Sequence, residues 1–102
     1  MQSAQLLREF KEAVKQHDRV RAFQLYDQMY AENPQGCCMI QLQVMNMCKE
    51  AEHLPDAQRV FKEIAKEPHK LNEAVFLPLI RCYIDAKELN MALGLIQQMV
   101  EL

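Results

Sequence analysis

The chain has 102 residues, half of them apolar, and a formal charge of −2. That length suits one domain with a real but thin core, and the near-neutral balance excludes a strong overall pull toward nucleic acid or acidic lipid, so any basic site must be local. Two glycines and four prolines are too few to turn a meander of strands, while Ala, Leu, Gln, Glu, Lys and Met favour helices, so the composition alone predicts an all-α fold.

Taken in chain order, the opening MQSAQLLREFKEAVK is amphipathic and predicts a helix over 3–16. It carries Glu9 and Glu12 and has no apolar h-region, so it reads as neither a signal nor a transit peptide, and any targeting segment would precede Met1. A second helix is expected over 19–32, followed by a break at Pro34 and Gly36. Helices over 38–51 and 54–66 come next, the latter with Pro55 in its first turn. Asn72 is placed as the cap of a helix over 73–86. Pro78 falls inside that helix, where a missing N–H and a ring clash predict either a bend or a later start. A final helix covers 89–101.

The elements repeat. DRVRAFQLYDQM, HLPDAQRVFKEI and ELNMALGLIQQM superimpose when Ala22, Ala57 and Ala92 are aligned, each 35 residues from the next. The same offset places Leu25 on Val60 and Leu95, Tyr26 on Phe61 and Ile96, and Met29 on Ile64 and Met99. A small residue followed by apolar residues three, four and seven positions later is one stripe of an α-helix. Upstream, Phe10, Met45 and Ile80 align, as do Ala13, Cys48 and Tyr83, which gives every unit a preceding apolar-faced helix. Helices therefore alternate A, B, A, B, A, B in units of approximately 3–36, 37–71 and 72–102, and the short connectors make each pair antiparallel. One pair cannot bury both its apolar faces, so pairs must stack into an α-α superhelix, a helical-repeat solenoid. The last unit has no polar cap, which reads as a fragment of a longer protein whose final helix exposes Leu95, Met99 or their neighbours and promotes self-association.

Other chemistry is sparse. Cys37, Cys38, Cys48 and Cys82 have no CxxC spacing and no loop-rich setting, so they are expected as small buried hydrophobes of a reduced compartment. His17, His53 and His69 show no metal-ligand spacing, and His17 and His53 fall near turns, as caps or solvent-facing groups. No catalytic group, metal or cofactor is expected. No stretch approaches the roughly 18 apolar residues that span a bilayer, so no membrane role is expected.

The 35-residue helix pair, the A-(x)2-L-(Y/F/I)-x-x-M stripe of its second helix, and above all NEAVFLPLIRCYIDAKELNMALGLIQQM in the third unit resemble the pentatricopeptide repeat. The alternative is the tetratricopeptide repeat, a protein-binding cousin with a period of 34, against which two successive spacings of 35 argue. The resemblance implies binding of single-stranded RNA by the A helices, one base per repeat, in a mitochondrial or other organellar protein. Carried over by position, Leu7, Leu42 and Leu77 would meet base edges, with Cys37 and Asn72 as partner positions, while Ala4, Met39 and Ala74 would flank bases. Leucine neither donates nor accepts a hydrogen bond, so of these positions Asn72 alone could discriminate bases. A polar column of Lys11, Asn46 and Arg81, with Arg8 and Lys49 nearby, is the better candidate, for phosphates. These features suit docking of single-stranded or folded RNA such as precursor tRNA, by analogy with the repeats of protein-only RNase P, whose metallonuclease domain is separate. The alternative partner is a protein helix laid along a concave apolar groove containing Met39 and Leu42.

Overall fold

The computed structural model describes residues 2–102, which form six α-helices and, among the described residues, no strand. The helices are α1 (Gln2–Lys15), α2 (Arg19–Glu32), α3 (Cys38–Asn46), α4 (Leu54–Ala65), α5 (Glu73–Asp85) and α6 (Leu89–Val100). Short 3-10 turns at Pro34–Cys37, Ala51–His53 and Pro68–Lys70 precede α3, α4 and α5. The chain divides into two compact units, one ending at Met47 and one beginning at Cys48, so the division falls inside the second sequence repeat.

The predicted register holds throughout. Ala22, Ala57 and Ala92 are all buried, as are Leu25, Val60 and Leu95 one turn on. Alanine at these points lets helices approach closely, and the larger residues fill the space beyond. Phe10, Met45 and Ile80 are buried likewise, with Ala13, Cys48 and Tyr83.

In the first unit α1 packs on α2, and α2 on the turn and helix that follow it. Gln41 is buried but satisfied, its amide donating to the Tyr26 hydroxyl at 3.2 Å. In the second unit α4 packs on α5 and α5 on α6. Phe61 and Phe76 meet edge to face at 5.2 Å between ring centres, and the Gln58 amide donates to the Tyr83 hydroxyl at 2.7 Å.

The turns explain the helix ends. After α1, the Asp18 N–H donates to the Ala13 carbonyl and the His17 N–H to that of Val14, a Schellman closure. Residues 83–88 repeat it, with Glu88 donating to Tyr83 and Lys87 to Ile84. The residue at the left-handed position is glycine in neither case: His17 has φ 58° and Lys87 φ 60°. Asp18 then caps α2, its carboxylate accepting the Arg21 N–H at 3.1 Å.

The middle turn departs from this pattern. Prediction carried helix A to residue 51, but α3 stops at Asn46. The N–H groups that would have extended it are claimed elsewhere: that of Lys49 donates to His53 Nδ1 at 3.2 Å, and that of Ala51 to Asp85 Oδ2 at 2.6 Å. Acceptors brought in from α5 and from the next turn outcompete the next helical turn.

Pro78 leaves no second start. The helix α5 begins at Glu73 and passes through it, because only the Ala74 carbonyl loses its N–H partner and Ala74 is exposed to water. Asn72 does cap α5, though through its backbone carbonyl, which accepts from Val75 and Phe76, and without a side-chain bond. Cys37, Cys48 and Cys82 are buried, whereas Cys38 is exposed; none of the four forms a disulfide. Leu95 is buried and Met99 half-buried, so the apolar exposure expected of the last helix falls on their neighbours Leu93 and Val100 instead.

Candidate nucleic-acid interface

Most of the predicted site residues lie on the three A helices, with Cys37, Lys49 and Asn72 in the segments flanking them, and each unit presents its own set. In the first unit Ala4, Leu7, Arg8, Lys11 and Lys15 recur at three- and four-residue spacing along α1, which puts them on one exposed stripe. Lys15 was missed by sequence reasoning, although its position one turn beyond Lys11 was a readable signal. The acidic side chains of α1 are engaged by other partners: Glu9 pairs with Arg21 of α2 at 3.0 Å, and Glu12, a helical neighbour of Arg8 and Lys15, accepts from Gln16 at 3.0 Å. Arg8, Lys11 and Lys15 have no ion-pair partner among the described residues.

Like charges at these spacings oppose one another by about 0.2–0.5 kcal/mol per pair, a repulsion that a polyanion laid along the stripe relieves. Lys15, in the last turn, also complements the helix dipole. The stripe can therefore hold phosphates by charge without rearranging existing pairs.

Beside it lies an apolar pocket of about 160 Å³ lined by Leu7, Met29, Cys37 and Ile40, with Glu32, Asn33 and Gly36 completing it. Two residues carried over from the resemblance, Leu7 and Cys37, thus meet at one cavity. It has room for one six-membered ring, since a closed apolar cavity of about 150 Å³ takes benzene. Cys37 cannot serve as an outward polar partner: it is buried, and its thiol donates to the Asn33 carbonyl at 3.3 Å. Asn33 itself accepts the Gly36 N–H through its side chain.

On α3 the stripe continues as Met39, Leu42 and Asn46, with Met39 78% exposed, Leu42 half-buried and Asn46 exposed. This helix contributes no charge to the column. Lys49 is exposed but lies beyond the end of α3, in the second compact unit, so it does not extend the α3 stripe.

In the second unit Ala74, Leu77 and Arg81 are exposed along α5. One turn on, Asp85 is engaged by the Ala51 N–H. Asn72, at the start of the helix, is exposed, and its carboxamide takes no part in the cap. Its donor and acceptor are thereby left for a ligand.

Among the described residues no group of three or more His, Cys, Asp or Glu is placed to hold a metal ion. No described helix is long and apolar enough to cross a membrane. His53 is half-buried and structural, accepting the Lys49 N–H through Nδ1, with its Nε2 3.8 Å from Glu50.

Comparison with curated proteins and with solved structures gives no match. A family model described as the pentacotripeptide-repeat region of PRORP matches residues 1–102, the whole chain. The helix pairs, their 35-residue register and this match agree: the chain belongs to the pentatricopeptide repeat family, in the repeat region of the PRORP type.

Proposed function

We propose that this chain is an RNA-binding repeat module that holds RNA by its phosphate backbone and shape, docking a single-stranded or folded molecule such as precursor tRNA for processing by a larger, organellar protein. Catalysis in that protein would lie in another domain. The observation that carries the reading is the α1 stripe, where Arg8, Lys11 and Lys15 are exposed and form no ion pair among the described residues. Arg81 and Asn72 offer a second contact point on α5, and Asn46 and Lys49 supply polar groups between them in sequence.

Base discrimination is weak on this reading. Leu7, Leu42 and Leu77 can lie against a base face but offer its edge no hydrogen bond. Phosphate contacts position a nucleic acid without reading it.

Binding to the homopolymers of A, U and C, and to a folded precursor tRNA, tests the proposal at low salt. Expected are affinities for the three homopolymers within a few-fold of each other, equal or tighter binding of the tRNA, and weaker binding of all four on substituting Lys11 and Arg81 together by alanine. Absence of RNA binding at low salt would refute it. A second reading is favoured by one observation, the exposed Met39 beside half-buried Leu42 on α3, a surface suited to an apolar helix of a protein partner. Binding of that kind would persist at high salt.

A further inference from the structure

The apolar stripes of the helices are nearly alike from repeat to repeat, so by themselves they do not tell the correct neighbour from a copy one repeat away. The polar groups enclosed where a B helix meets the A helix after it are not alike. Between α2 and α3 the Gln41 amide donates to the Tyr26 hydroxyl at 3.2 Å, and both side chains are buried. Thirty-five residues on, the same two positions of α4 and α5 hold Phe61 and Phe76, which meet edge to face.

The crossing of α4 with α5 has its own polar bond in another place. There the half-buried Gln58 amide of α4 donates to the buried Tyr83 hydroxyl of α5 at 2.7 Å. The residues thirty-five places earlier are Phe23 and Cys48. Each crossing thus carries one glutamine–tyrosine bond where the other has no such pair. The polarity is reversed as well, with tyrosine on the B helix in the first and on the A helix in the second. Among the described residues no buried side-chain nitrogen or oxygen lacks a partner.

We infer that these two bonds are keys that fix which A helix seats on which B helix. If α5 took the place of α3 on α2, the Tyr26 hydroxyl would face Phe76 and the Tyr83 hydroxyl would face Phe23. If α3 took the place of α5 on α4, the Gln41 amide would face Phe61 and the Gln58 amide would face Cys48, whose thiol is a weak acceptor. Either mistake leaves two enclosed polar groups without good partners, whereas the correct order satisfies all four. Fixing register is the best-attested use of buried polar groups, and stacking in the wrong order is a characteristic failure of repeat chains.

The test removes both keys while keeping their shape, by combining Tyr26→Phe, Gln41→Leu, Gln58→Leu and Tyr83→Phe. Wild type and variant are refolded from urea and compared by equilibrium denaturation and by hydrogen exchange of the α3 amides. The variant's folding constant should stay within about tenfold of wild type, because both partners of each bond are replaced. It should also show a second refolded population in which α3 is unprotected, α5 having seated on α2, while wild type gives one. A variant that refolds as uniformly as wild type would overturn the inference. Transferring a key gives a check that does not depend on that variant's folding. Phe76→Gln alone should lower the folding constant about tenfold or more, and adding Phe61→Tyr should recover much of the loss. No recovery on adding Phe61→Tyr would equally overturn the inference, since the two positions would then not read each other.

Discussion

Replacing Lys87 with glycine should stabilise the protein. Lys87 holds φ 60° at the turn between α5 and α6, where its N–H closes onto Ile84 and that of Glu88 onto Tyr83. A side chain in this left-handed conformation costs about 1–2 kcal/mol through the clash of Cβ with the following carbonyl. Glycine removes that clash but gives back about 0.5–1 kcal/mol of unfolded-chain entropy. The Lys87 side chain is exposed and forms no hydrogen bond or ion pair among the described residues, so little else is lost. The net gain is about 0.5–1 kcal/mol, or roughly 2–8 °C in Tm for a domain of this size. Calorimetry or urea denaturation reads it directly, with Lys87→Ala as a control expected to change stability little, since alanine keeps the clash. His17→Gly repeats the test at the first turn. A glycine variant less stable than wild type would refute the assignment of strain to this position.

Three further outcomes follow from the packing and surface contacts. Tyr26→Phe leaves the buried Gln41 amide without its 3.2 Å acceptor and should cost about 1–3 kcal/mol in urea denaturation, whereas adding Gln41→Leu should recover much of the loss. Gly36→Ala places a Cβ 2.5 Å from Asn33 Nδ2, so the asparagine must swing away from the Gly36 N–H it caps; a loss of about 1 kcal/mol is expected, with no additional loss from Asn33→Ala in that background. Glu67 accepts from Lys70 at 2.6 Å, and this hydrogen bond, aided by the lysine and His69 charges, holds its carboxyl below the ordinary range. A carboxyl depressed in this way contributes stability above its unfolded pKa, and that contribution is lost as pH falls through the lowered value. Carboxyl-detected NMR should show Glu67 titrating low, and Lys70→Gln should return it to the ordinary range.

Much of the fold was legible because it rests on periodicity. Three alanines set the register, and the apolar residues three, four and seven positions beyond each of them set the inward face. What was illegible depends on partners distant in sequence or on strain. The early end of α3 goes with bonds made beyond it, among them one from the Ala51 N–H to the Asp85 carboxylate, 34 residues away. The left-handed turns at His17 and Lys87 lack the glycine that would announce them. Cys38 looked like a core residue from its composition class, yet only its neighbour Cys37 turns inward.

The candidate site divides the same way. Helical spacing from Leu7 and Lys11 was enough to find the α1 stripe and could have included Lys15. The meeting of Leu7 with Cys37 at one pocket needed the fold, since the two are 30 residues apart and joined only through the turn after α2. Lys49 seemed to extend the column of Asn46 only while α3 was taken to reach it.

The central claim is that RNA is held by its phosphate backbone against the basic side chains of α1. It is tested most directly by the salt dependence of RNA affinity for wild type and for the triple variant Arg8→Ala, Lys11→Ala, Lys15→Ala. Each phosphate contact to a single strand contributes about 0.7 to the slope of log affinity against log salt, so the three substitutions should flatten that slope by about 2 and weaken binding most at low salt. A triple variant that binds RNA with the wild-type affinity and slope would contradict the account.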